Sequence, residues 1–256
     1  MSEAQDVLLY IDGKVAVITL NRPERRNGMA GDMIDGLYEI LTGLAGRADV
    51  GVIVLRGAGT DFCVGADIKA IPDDGVGKQD QRRLARIYHT ATLLHEIRKP
   101  TIAAIDGGCA GAGLGWAAAC DFRFASDKAA FATAFLKVGV AGDMGTIWSL
   151  ARVVGPGRAR ELMLFPEKFG AEEALRIGLV TRVFPRESLH AETLRLAHEL
   201  ASRAPAAVEA IKDNFLSAER LGMADYVDLE GARHGHLVAS PDATAGFRAF
   251  RTKGAS

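Results

Sequence analysis

Apolar residues change rhythm along this chain, and each change predicts an element. Val7–Ile11 and Val15–Leu20 are short apolar-rich runs flanking Asp12-Gly13-Lys14, the signature of a β-hairpin. Met33, Ile34, Leu37, Ile40, Leu41 and Leu44 recur at helical spacing and predict a helix over 31–46. Val52–Leu55 is a continuous apolar run, suited to a strand buried on both faces. No period survives over 57–78, which reads as a loop, mobile near Pro72–Lys78, with a turn of helix at Ala66–Ala70. Leu84, Ile87, Tyr88, Leu93, Leu94 and Ile97 restore helical spacing over about 80–98, and Lys99-Pro100 closes that helix.

Thr101–Ile105 predicts the next strand, a glycine-rich turn follows, and a helix over 112–119 leads to a strand at Phe122–Ala125. Strands alternating with helices imply right-handed crossovers and an α/β core. Beyond Asp143 helical patterns cover 146–164, 171–177, 186–203, 206–219, 222–236 and 240–250, with one strand near Leu179–Phe184. The expected organisation is a core domain over 1–195 and a helical C-terminal region over 196–256.

Composition narrows the function. In 256 residues, 48% apolar content is enough for a sizeable core without disulfides. A net charge of −1 argues against a general nucleic-acid binder, although local basic clusters could hold a phosphate-bearing small molecule. Cys63, Cys109 and Cys120 show no ligand spacing and read as small buried residues in a reducing compartment. His95, His198 and the pair His234 and His236 form no metal-binding pattern, so no metal is expected. The N-terminus is acidic with a short apolar run, unlike a signal peptide, and no run approaches the roughly 20 residues of a membrane span. A cytoplasmic chain without membrane partners is the expectation.

The chemistry concentrates between Ala103 and Thr146. Gly107, Gly108, Gly111, Gly113 and Gly115 follow a strand and open a helix. A dinucleotide fingerprint would need a small residue where Trp116 stands and an acid where Thr133 stands. Two readings remain: close helix–sheet packing, or backbone N–H groups aimed at a developing negative charge. A second glycine-rich turn, Val138–Thr146, carries one acid, Asp143. At the start of a helix, Asp143 reads as an N-cap, which would hold the carboxyl ionised with a lowered pKa.

Several motifs in order resemble the enoyl-CoA hydratase/isomerase (crotonase) family: Asn21-Arg22-Pro23-Glu24, Phe62–Asp67, Ile105–Asp121 and Gly178-Leu179-Val180. The resemblance implies a crotonase-like spiral of ββα units whose C-terminal helices build a homotrimer or dimer of trimers. It implies an acyl-CoA thioester as substrate, with coenzyme A entering only as part of that substrate and no separate cofactor. The backbone N–H groups of Ala66 and Ala112 would form the oxyanion hole. Arg26, Lys69 and Lys253 match positions on the CoA-phosphate side. Where family hydratases carry two glutamates, this chain has Gly115 and Phe135, and neither can transfer a proton. The Asp143 loop resembles that of dienoyl-CoA isomerases, and 110–183 resembles 4-chlorobenzoyl-CoA dehalogenase more closely. Those likenesses imply Asp143 as base or nucleophile, His89 handling water, and Tyr88 with Phe135 beside a bulky or aromatic acyl group. An ordinary hydratase using other residues and a non-catalytic acyl-CoA binder are the competing expectations.

Overall fold

The computed structural model describes residues 5–70 and 81–253. The loop expected near Pro72–Lys78 and the side chain of Lys253 lie outside the described residues. The chain divides into two compact units, Met1–Leu200 and Ala201–Ser256. That division falls at 200/201, where the sequence pattern suggested 195/196.

The first unit is built on an α/β core. β1 (Val7–Asp12) and β2 (Val15–Leu20) form the hairpin, closed by Gly13-Lys14 with Gly13 at φ 57°. After α1 (Gly31–Ala45) come β3 (Val52–Gly57), α2 (Gln81–Glu96) and β4 (Thr101–Ile105). β5 (Gly108–Ala110) then leads into α3 (Ala112–Ala119) and β6 (Phe122–Ser126). β7 (Ala130–Ala132), α4 (Thr146–Val153), α5 (Pro156–Leu164) and β8 (Phe169–Gly170) follow. α6 (Ala171–Arg176), β9 (Arg182–Phe184) and α7 (Leu189–Ala201) complete the order.

The main sheet runs β1-β2-β3-β4-β6-β9, parallel from β2 onward, and β5-β7-β8 form a second, smaller sheet. Every residue of β2 and β4 is buried, as runs without polar alternation require. α1 packs Met33, Leu37, Leu41 and Leu44 into the core. All three cysteines are free and buried.

One expectation needs correction, and one sheet lies outside the expectations. The helical pattern over 146–164 is two helices, because Gly155 adopts φ 78° and Pro156 starts α5, where its missing N–H costs no bond. The small sheet is absent from the sequence reading, since strands of two or three residues leave no readable period.

α3 is buried over its whole length. Its Trp116 donates Nε1–H to Thr90 Oγ1 of α2 at 2.8 Å, and the Thr90 hydroxyl in turn donates a hydrogen bond to the Ile87 carbonyl. Trp116→Phe removes the indole donor and leaves a void, so urea unfolding is expected to show a loss of about 1–3 kcal/mol. A change below about 0.5 kcal/mol would mean the bond contributes nothing.

The second unit holds α8 (Pro205–Ala218), α9 (Met223–Val238) and α10 (Pro241–Lys253). Arg233 joins α9 to α8 through Asn214 Oδ1 at 2.7 Å and Ser217 Oγ at 3.1 Å. Its surface keeps large apolar side chains in the open, among them Phe215, Met223 and Phe250. No helix among the described residues is long and apolar enough to cross a membrane.

Candidate active site

The glycine turn after β4 does two jobs. Gly111 adopts φ 51° and donates its N–H to the Ala132 carbonyl at 3.0 Å, turning the chain from β5 into α3. Ala112 is the first residue of α3, and its N–H has no backbone acceptor among the described residues. The Ala66 N–H has none either. Ala66 is held by a parallel bridge to Met29, in which Met29 N–H donates to Gly65 O at 2.8 Å and Asp67 N–H to Met29 O at 3.0 Å.

The two donor loops touch. Gly65 adopts φ 91°, and a β-carbon on it would lie 3.4 Å from the Ala112 nitrogen and 3.0 Å from Ala110 O, so glycine makes this approach without the strain another residue would carry. Behind them a parallel bridge joins Cys63 to Cys109, and Ala110 N–H donates to Cys63 O at 3.0 Å. Burial pushes the Cys63 thiol up to about 12, so it stays protonated and serves as packing.

Asp143 departs from the expectation in two ways. The cap of α4 is Gly145 at φ 63°, with no side-chain cap bond, so Asp143 is not the N-cap. Its backbone carbonyl takes the capping role instead, accepting from Thr146 N–H at 2.9 Å and Thr146 Oγ1 at 2.7 Å. The carboxyl Oδ1 is buried without a hydrogen-bond partner. Burial therefore raises the Asp143 pKa above the ordinary carboxylate value, the reverse of the lowered pKa that a cap would produce.

The loop bearing Asp143 is docked on α3. A β-carbon on Gly115 would sit 2.7 Å from Met144 Cβ and 2.6 Å from Thr146 Oγ1. Phe135, 7% exposed, joins the two turns: its ring lies 4.0 Å from a β-carbon built on Gly111 and 3.8 Å from one on Gly142. Donors, ring and carboxylate loop thus share one junction.

α2 abuts the same junction through Thr90, whose hydroxyl lies 3.7 Å from Met144 Sδ. The preceding residues face outward. His89 is exposed and its Nδ1 lies 3.1 Å from Thr92 Oγ1 on its own helix, and Tyr88 is 45% exposed. No hydrogen bond links His89 to Asp143.

The expected CoA-side cations differ in setting. Arg26 forks onto Asp61 at 3.0 and 2.9 Å and lies against Gly108 at the root of the glycine turn. This guanidinium, with the Gly108 N–H, holds the Asp61 carboxyl below the usual range. Arg26 also lines a cavity of about 570 Å³ with Lys128, Lys137, Lys168 and Arg186. Lys69 is exposed on the 3-10 turn Ile68–Ala70, outside that lining. No group of three His, Cys, Asp or Glu able to hold a metal occurs among the described residues.

Sequence reasoning missed the braces. Asn27 ties the loop after β2 to the one after β3, and Asp67 anchors the Ala66 loop to Arg22 and Arg25 at 3.1 and 3.3 Å. Only the turn signal Asn27-Gly28 could have pointed to them.

Known proteins agree with this architecture. The family model for enoyl-CoA hydratase/isomerase matches residues 11–256. Probable enoyl-CoA hydratase echA14 of Mycobacterium tuberculosis is 41% identical over 183 residues, 72% of this chain and 71% of that protein. The 4-chlorobenzoyl coenzyme A dehalogenase-1 of an Arthrobacter species is 36% identical over 208 residues, 80% of this chain and 75% of that protein. A Thermobifida fusca relative solved in complex with CoA superposes with a TM-score of 0.84 at 31% identity, covering 92% of this chain and 93% of that one. The chain has the crotonase fold and belongs to the enoyl-CoA hydratase/isomerase family of enzymes.

Proposed function

We propose that this enzyme transforms an acyl-CoA thioester by polarising its carbonyl between the N–H groups of Ala66 and Ala112, with Asp143 as base or nucleophile. The observation that carries this reading is the partnerless, buried Asp143 Oδ1 in a loop seated on the helix that Ala112 opens. Acting as base, the carboxylate takes a proton from carbon conjugated with the thioester. The electron pair moves onto the thioester oxygen, where the two N–H groups stabilise it, and reprotonation at another carbon gives an isomer. Acting as nucleophile, it bonds to an acyl carbon bearing a leaving group. The same oxygen takes the charge, the leaving group departs with its electron pair, and water cleaves the resulting ester.

His89, on the outward face of α2, is assigned the activation of that water, and Tyr88 with Phe135 the lining of the acyl group. Arg26, Lys69 and Lys253 are assigned to the CoA phosphates. Arg26 fits best, since it faces the glycine turn from a basic cavity. Subunit association, as a homotrimer or dimer of trimers, is assigned to the helical second unit, whose exposed Phe215, Met223 and Phe250 favour burial against a further chain.

Three thioesters test the reaction class: crotonyl-, 3,5-dienoyl- and 4-chlorobenzoyl-CoA. Turnover of the dienoyl or chlorobenzoyl compound, with crotonyl-CoA hydrated at least 100-fold more slowly, is the expected result. Efficient hydration of crotonyl-CoA alone would make this an ordinary hydratase with other acid and base residues. Tight binding without any turnover would leave only a binder.

A further inference from the structure

α3 carries glycine at 113 and at 115 and is buried on every side. Residues two apart on a helix point about 200° apart, so the two glycines face opposite neighbours. On one side a β-carbon at 113 would overlap the Cys63 carbonyl oxygen and lie 2.8 Å from Cys63 Cβ. Cys63 begins the loop that ends in the Ala66 donor, and the Cys63–Cys109 bridge ties it to the turn before Ala112. On the other side a β-carbon at 115 would meet Met144 Cβ at 2.7 Å, Thr146 Oγ1 at 2.6 Å and Met144 O at 3.1 Å. Those residues directly follow Asp143, and Met144 itself sits at φ 49°, a conformation that only firm seating sustains.

We propose that Gly113 and Gly115 make α3 the spacer of this site, each acting as a positioning residue: Gly113 sets the separation of the two oxyanion donors, and Gly115 sets the reach of Asp143. The proposal rests on the roles assigned above to Ala66, Ala112 and Asp143. Its specific content is that the two positions act separately. Real β-carbons essentially never come within 3.0 Å of another heavy atom, as both substitutions would require, at 113 against the Cys63 backbone and at 115 against Met144 Cβ and Thr146 Oγ1, so each side must move. Movement on the Cys63 side displaces the donors, while movement on the Met144 side lifts Asp143 into solvent.

Gly113→Ala and Gly115→Ala in the full chain test this, with Gly43→Ala on α1 as control, where nothing lies within 4 Å of an added β-carbon. Two readouts need no turnover. The red shift of cinnamoyl-CoA absorption on binding reports hydrogen bonding to the thioester oxygen, and carbon-13 NMR follows titration of the Asp143 carboxyl. Gly113→Ala is expected to halve the red shift or more and leave the Asp143 titration in place. Gly115→Ala is expected to move that titration down toward the ordinary carboxylate value and keep the red shift. Each lowers turnover by up to about 10²-fold, the effect of a displacement near 1 Å.

A variant unchanged in its own readout overturns the proposal, as do two variants that move both readouts alike, the mark of general loosening. If Gly115→Ala alone does not fold, Gly115→Ala/Met144→Gly removes the carbon at 2.7 Å, leaves the Thr146 hydroxyl at 2.6 Å to turn aside about its own side-chain torsion, and is expected to restore folding and the original titration. Failure of that pair to do either counts against the proposal. Cys63→Val, which crowds Gly113 from the loop side, takes the place of Gly113→Ala on the same terms. Full turnover by Asp143→Asn would instead sink the catalytic role and leave both spectroscopic results standing.

Discussion

Asp143→Asn is expected to lower turnover of whichever thioester reacts by about 10²- to 10⁴-fold, the usual weight of a general acid or base. The same substitution is expected to raise the melting temperature at neutral pH. Both follow from Oδ1, which is buried and partnerless. Desolvation penalises the ionised carboxylate, so the folded-state pKa lies above the ordinary value of 3.8. The sign is then fixed: folded protein binds the proton more tightly than unfolded chain, so stability falls as pH rises from 3.8 through the raised pKa. Above that window the penalty is constant, and below 3.8 it vanishes. Asparagine carries no charge to desolvate, so the stability gap between variant and parent opens over this window and closes in acid. Activity runs the other way, with an acid limb at the raised pKa that disappears in the variant. Undiminished turnover, or a variant less stable at neutral pH, would refute this account of Asp143.

Asn27→Ala is the change expected to cost most stability. Asn27 is fully buried at φ 53°, a left-handed conformation that asparagine tolerates better than alanine. Its side chain accepts from Arg22 N–H at 2.9 Å and donates to Ala58 O at 2.9 Å and Asp61 O at 2.7 Å. Alanine strands all three backbone groups, so about 3–5 kcal/mol is expected in urea unfolding, a fall of about 10 °C in Tm. Met29, two residues on, bridges to Ala66, so the loss also loosens a donor loop and slows turnover in the folded fraction. A loss below about 1 kcal/mol would show that water replaces all three bonds.

The long periodic elements were legible because burial on one face or both leaves a repeating trace. Met33, Leu37, Leu41 and Leu44 announced α1, and the unbroken run of β4 announced a doubly covered strand. The helix following the glycine turn was equally plain. Elements held by long-range pairing were not: β5, β7 and β8 are too short to show a pattern. Gly115 shows a different limit. As a letter it reads as an acid that is missing, while in space it is room that Met144 and Thr146 fill. Asp143 stands out in the sequence by its glycine-rich setting, but the cap and lowered pKa expected there are reversed in the structure, because cap or buried carboxylate depends on which way the loop turns at Gly145.

The strand order of the main sheet has a bearing on how the molecule comes into being. β1, β2, β3, β4, β6 and β9 lie side by side in the order in which they occur along the chain. No strand of that sheet must wait for a later one to be threaded between itself and its neighbour, so during synthesis each can dock on an edge already in place. Both amide donors exist once β4 and α3 have docked, and the carboxylate arrives with the segment before α4. With the roles proposed above, the polypeptide assembles its cradle for charge before it acquires the group that generates one.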